Sequence, residues 1–147
     1  MFRTIVAGTD GSETAQKAVD AAIELAKLSG ATLELVSAYE PVPRQRLGRQ
    51  AREVPADMEW MIHRRAEVDA TLHHAAQQAA DAGVTTREHA REGDAADAIL
   101  DVAEELGADL IVVGNKGMTG AKRFLLGSVP NKISHHAPCA VMIIRTT

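Results

Sequence analysis

Short apolar runs and longer amphipathic stretches take turns along the chain. "RTIVAGT" (Arg3 to Thr9) is rich in β-branched residues and closes on the turn-forming Asp10, Gly11 and Ser12, which predicts a first strand. Ser12 stands where a helix cap belongs. Ala15, Ala18, Val19, Ala22 and Ala26 then recur at helical spacing until Gly30, which predicts a first helix. "TLELVSA" (Thr32 to Ala38) reads as a second strand, and the segment from Tyr39 to Ala56, with three prolines and four arginines, shows no period and is expected to be a long loop. Helix-forming residues return from Asp57 to Ala82, and Gly83 ends the run. "VTTREHA" (Val84 to Ala90) alternates but is polar, so it suits the edge of a sheet better than its centre. Asp94 is placed to cap a third helix with Ala96, Ile99, Leu100 and Ala103 on one face, and with Asp97 near its positive end. Leu110 to Val113 is uninterruptedly apolar, as expected of a strand buried on both faces. Val129 to His136 predicts a short fourth helix, and "AVMIIR" (Ala140 to Arg145) a fifth strand.

Five strands alternating with four helices point to an α/β domain with an open, doubly wound parallel sheet, because parallel neighbours require right-handed crossovers. With the polar third strand at an edge, the expected order is 3-2-1-4-5, a Rossmann-like arrangement. The winding then reverses between strands one and four. Ligands of such sheets bind beyond the carboxyl ends of the strands at that reversal. The two segments that end there are "VAGTDGS" and "IVVGNKG".

Size and charge narrow the function classes. A chain of 147 residues is expected to form a single domain, 1–147, burying roughly 68–70% of its unfolded surface. The lone Cys139 has no partner for a disulfide, and no secretory or membrane-spanning pattern stands out, so a cytoplasmic location with no membrane association is expected. A net charge of -4 and 3% aromatic residues argue against nucleic acid as a partner.

The segment after the fourth strand carries the strongest chemical signal. "GNKGMTGAKRFLLGS" (Gly114 to Ser128) holds four glycines and three cationic residues. Glycines let backbone amides approach an anion closely, and the helix that follows adds its positive end. Phosphate is the physical match. Ser128 is expected to serve as helix cap and hydroxyl donor, with Pro130 tolerated in the first turn and Lys116, Lys122 and Arg123 as countercharge. A glycine-rich connection with solvated lysines is the alternative that spacing alone leaves open. There is no G-x-x-x-x-G-K-[ST] loop and no G-x-G-x-x-G after the first strand, which excludes the commonest nucleotide fingerprints. Gly114, Gly117, Gly127 and Ser128 instead fit G-x2-G-x9-G-S.

With that spacing, "TIVAGTDGS", "GADLIVVGNKG", "LLGSV" and "HHAPCAVMIIR", in this order along nearly the whole chain, the sequence resembles the universal stress protein family. The resemblance implies the branch that binds an adenine nucleotide, ATP, with magnesium as a candidate companion. It implies that Asp10 hydrogen-bonds the ribose hydroxyls, that Gly8 and Thr9 form the floor, and that the backbone of Ala38 contacts adenine. Gly114, Gly117, Gly127, Ser128 and Val129 would surround the phosphates, with Asn115 and Lys116 adjoining them. It further implies a homodimer paired through the last strand, Ala140 to Arg145, in a nucleotide-dependent stress-response or regulatory module with an unknown protein partner.

Alternatives remain at this stage. Some members of the family bind cyclic AMP in the same pocket, so a cyclic-AMP receptor or reservoir competes with the ATP reading. A slow ATPase and a dimeric interaction scaffold are further readings. Asp10 also fits an Asx turn or cap in "DGSE". Arg44, Arg46, Arg49 and Arg52 form either a solvated loop or a lid on the pocket side. His73 and His74 lack the i, i+4 spacing of a helical metal pair, and His135 and His136 suit the negative end of a helix, so no metal site is expected. No catalytic residue is expected either. Asp10 is the one clear carboxylate near the pocket, and Cys139 falls at the opposite, amino end of the sheet.

Overall fold

A computed structural model describes residues 1–39, 54–115 and 126–146, with the side chains of 54–64 left aside. The strands are β1 (Thr4–Gly8), β2 (Thr32–Tyr39), β3 (Thr86–Glu92), β4 (Leu110–Gly114) and β5 (Ala140–Ile144). Between them run α1 (Glu13–Ser29), α2 (Val54–Asp81), α3 (Ala95–Leu106) and α4 (Ser128–His136). All pairings are parallel and the order is β3-β2-β1-β4-β5, as the sequence pattern predicts.

Alternation along the central strands divides the core into two layers. Ile5 and Ala7 of β1, Leu33 and Leu35 of β2 and Leu110 and Val112 of β4 pack with Ala18, Val19 and Ala22 of α1 and Leu72 and Ala75 of α2. Val6, Val36, Ile111 and Val113 face the other way, against Ile99 and Val102 of α3 and Ile133 of α4. β1 and β4 are therefore apolar on both faces, which explains their unbroken apolar runs. Crossovers of one hand that build the sheet in two directions from β1 must leave their helices on opposite faces. The helices that follow β1 and β4, α1 and α4, accordingly pack on opposite faces of the sheet.

The element boundaries move for local reasons. α2 begins at Val54, three residues before the expected Asp57, because Pro55 falls in the first turn, where its missing amide is tolerated. β3 starts at Thr86 instead of Val84, because Gly83 (φ 82°) turns the chain left-handed and the Val84 amide donates back to the Ala79 carbonyl at 2.9 Å. β5 ends at Ile144, one residue short of Arg145. Ser128 is the first residue of α4 and not its cap; that position falls to Gly127, which has no side chain to offer. The Tyr39 to Ala56 loop lies largely outside the described residues, including Arg44, Arg46, Arg49 and Arg52.

Candidate functional site

A cavity of about 330 Å3 opens at the winding reversal. Its volume falls in the range of small-molecule sites. Gly8, Thr9 and Asp10 arrive from β1, Val36, Ser37 and Ala38 from β2, and Val113 and Gly114 from β4. Three helices begin at its wall: α1 contributes Ser12, Thr14 and Ala15, α3 contributes Ala95 and Ile99, and α4 contributes Ser128, Val129 and Pro130. Gly127 completes the rim.

The floor is made by close approach. A Cβ on Gly8 would overlap the Cδ1 of Ile99, so β1 passes close beneath α3 here and a larger residue would displace the Ile99 side chain. Beyond it the chain turns sharply. The Ser12 amide donates to Oδ1 of Asp10 at 2.9 Å, and the Gly11 amide donates to Oγ1 of Thr9 at 3.1 Å. Asp10 thus forms the Asx turn that the sequence leaves open. An ionised carboxylate has several acceptor positions, so one bond to the turn leaves it able to accept from a ligand hydroxyl.

The three helix starts differ in a way that matters for anions. The α1 start is capped by Ser12, whose Oγ accepts from the Ala15 amide at 3.1 Å. At α3 the Asp94 carboxylate accepts from the Asp97 amide at 3.1 Å, and Lys132 lies 2.7 Å from Asp97 and 3.5 Å from Asp94. Those contacts, above all the bond to Asp97, raise the Lys132 ammonium above its ordinary pKa and hold it at α3. α4 begins at Gly127 with no side-chain cap. The Gly127 amide is taken by the Asn115 carbonyl at 2.8 Å, and Pro130 has no amide. Ser128 and Val129 remain as the first amides of α4, without acceptors inside the helix and at the cavity wall. Amides and helix dipole together make this the end of the cavity that suits a negative group.

Among the residues singled out in the sequence, Gly8, Thr9, Asp10, Ala38, Gly114, Gly127, Ser128 and Val129 converge on this one cavity. Asn115 does not line it. Its Oδ1 accepts instead from the Thr146 amide at 2.9 Å and the Thr146 hydroxyl at 2.8 Å. Lys116, Gly117, Lys122 and Arg123 lie outside the described residues. Sequence reasoning missed Ser12, Thr14, Ala15, Val36, Ser37, Ala95, Ile99, Val113 and Pro130 as lining residues. Ser37 could have been found as the neighbour of Ala38 at a strand's carboxyl end, whereas Ile99 reads as plain helix core. Among the described residues no group of three or more His, Cys, Asp or Glu side chains is placed to hold a metal ion.

Against this geometry the comparisons are specific. The profile described as the Universal stress protein family matches residues 1–145. The chain belongs to the universal stress protein family. It is 37% identical over 147 residues to a universal stress protein of Mycobacterium tuberculosis, covering 99% of this chain and 98% of the relative. A universal stress protein of Bacillus subtilis is 33% identical over 157 residues, covering 99% of this chain and all of the relative (100%). Among solved structures, a universal stress protein in complex with cAMP is 33% identical with a TM-score of 0.74, covering 99% of this chain and 98% of that one. A universal stress protein from Lactobacillus plantarum superposes with a TM-score of 0.84 at 24% identity, covering 98% of both chains, and supports the fold alone.

Proposed function

We propose that this universal stress protein binds an adenine nucleotide, ATP, in the cavity at the winding reversal and acts as a nucleotide-dependent regulatory module. The observation that carries the reading is the contrast among the three helix starts. α1 and α3 each carry a capping side chain and an acidic residue in the first turn, Ser12 with Glu13 and Asp94 with Asp97, while α4 has neither and begins at Gly127 on the cavity wall. In this reading the phosphate meets the Ser128 and Val129 amides, the ribose meets Asp10 and the base lies beside Val36, Ser37 and Ala38, all of which line the cavity. Each charge-assisted hydrogen bond contributes about 1.5–3 kcal/mol, so two or three of them support micromolar binding after association losses.

Cyclic AMP is the second reading. It is favoured by the complex of a 33% identical universal stress protein with cAMP. The two ligands differ where the chain can sense it. ATP offers two free ribose hydroxyls to Asp10 and a long phosphate tail to α4, whereas cyclic AMP has one free hydroxyl and a single ring phosphate. Efficient turnover is not part of the proposal, because Asp10 is the only carboxylate among the described lining residues. The module is taken to be one domain in the cytoplasm and to pair as a homodimer through β5. Among the described residues that strand is the edge of the sheet, with Ile143 exposed. No helix among the described residues is long and apolar enough to cross a membrane.

Nucleotide content of the purified protein, followed by calorimetry with ATP, ADP, AMP and cyclic AMP, tests the reading. Micromolar binding of one adenine nucleotide is expected. Failure of all four to bind overturns it, and cyclic AMP binding far tighter than ATP selects the second ligand.

A further inference from the structure

Next to the cavity-lining Gly114, the side chain of Asn115 bonds to Thr146 and does not line the cavity. Asn115 follows β4 directly and, among the described residues, makes four hydrogen bonds, two through its backbone and two through its side chain. Its amide donates to the Ile144 carbonyl at 2.9 Å, continuing the β4–β5 ladder, and its carbonyl accepts from the Gly127 amide at 2.8 Å. Its Oδ1 accepts from both the amide and the hydroxyl of Thr146. Thr146 is 2% exposed, and its carbonyl accepts from Nζ of Lys17 on α1 at 3.0 Å. A polar residue this deeply buried near a chain end needs its partners, and Asn115 supplies two of them.

We propose that Asn115 is a positioning residue for the anion end of the cavity and that Thr146 is its other half. The Oδ1 bonds fix the orientation of residue 115. That orientation aims its carbonyl at the Gly127 amide, and this bond sets the start of α4, whose next two amides are Ser128 and Val129. The ligand-facing amides are therefore held through a hydrogen-bonded chain that runs to Thr146, just beyond β5, and, through Lys17, to α1. An outer shell of this kind locks the groups that touch the ligand. Glutamine, one methylene longer, would not reproduce it. The inference rests on the nucleotide reading of the cavity.

The test uses full-length Asn115→Ala, Thr146→Val and Thr146→Ser with two readouts. Calorimetry compares ATP with adenosine, which lacks the phosphate end, and hydrogen exchange by NMR follows the Gly127 amide in the ligand-free protein. Asn115→Ala is expected to weaken ATP by about 3- to 10-fold while leaving adenosine unchanged, and to speed exchange at Gly127. Thr146→Val should show a smaller loss of the same kind, and Thr146→Ser, which keeps the hydroxyl, should match the parent protein. Equal losses for ATP and adenosine, or unchanged exchange at Gly127, would overturn the proposal and leave Asn115 as a fold residue. If the parent protein binds no adenine nucleotide, the ligand reading fails on its own, and the Gly127 exchange rate alone then supports or overturns the positioning role.

Discussion

The two ends of the same sheet are built for opposite purposes. At the amino end the Asp109 carboxylate accepts from the Arg3 and Thr4 amides at 2.8 and 2.9 Å, joining the starts of β1 and β4. Those bonds, with the Arg3 bond foremost, hold its pKa below the usual carboxylate range. Nearby, burial and then the Asp109 charge push the Cys139 thiol upward, so it is less available as a thiolate. At the carboxyl end α1 and α4 lie on opposite faces of the sheet, glycine stands in place of a side chain at Gly8 and Gly127, and α4 starts without a side-chain cap. A carboxylate closes one end, and at the other the Ser128 and Val129 amides stand at the cavity wall, where the proposed nucleotide's phosphate would sit. Location in the sheet, more than residue type, decides whether a polar group serves the fold or a ligand.

The largest expected effect that would break this contrast comes from Gly8→Val. The added side chain overlaps Ile99 beneath the cavity, so thermal or urea unfolding should show a loss of about 1–3 kcal/mol and nucleotide binding should vanish. A stable variant with full affinity would remove Gly8 from the floor. Gly127→Val should weaken ATP by at least ~10-fold, about 1.4 kcal/mol, by blocking close approach to the α4 amides. Asp10→Ala should weaken ribonucleotides more than their 2′-deoxy counterparts, and should weaken ATP more than cyclic AMP. Identical losses across these ligands would reduce Asp10 to the turn that its bond to Ser12 already makes.

Asp109→Asn sharpens the other side of the comparison and should leave affinity untouched. Because the folded pKa is depressed, the stabilisation it provides is present above the unfolded value, about 3.9, and is lost as pH falls through the lower folded value. The stability advantage of the parent over Asp109→Asn should therefore shrink in acid, and a gap that stays constant down to pH 2 would contradict that origin. Smallest of all, Cys139 should react with iodoacetamide at neutral pH more slowly than free cysteine, as its raised pKa requires.

Most of the fold was legible because its signals are local. Ser12, Asp94 and Gly30 punctuate α1 and α3 where the pattern places them. The unbroken run from Leu110 to Val113 marks the centre of the sheet, and the polar alternation of β3 marks its edge. The cavity's position followed from the strand order alone. What the pattern could not supply is orientation. Asn115 sits beside Gly114 in the glycine motif, yet its side chain turns toward Thr146, 31 residues away in sequence. Ser128 looks like a cap but begins the helix, because Gly127 already has the extended backbone of an N-cap. Likewise Glu34, between the buried Leu33 and Leu35 of β2, is buried against His89 at 2.7 Å on the neighbouring strand, a pairing that depends on register.

The central claim is that the uncapped start of α4 receives the phosphate of an adenine nucleotide. Calorimetric titration of ATP and cyclic AMP into the parent protein and Gly127→Val tests it most directly. The account predicts micromolar binding of at least one of the two with one site per chain, weakened at least ~10-fold in the folded variant. Binding of both ligands unchanged by Gly127→Val, or no binding of either to the parent protein, would contradict it.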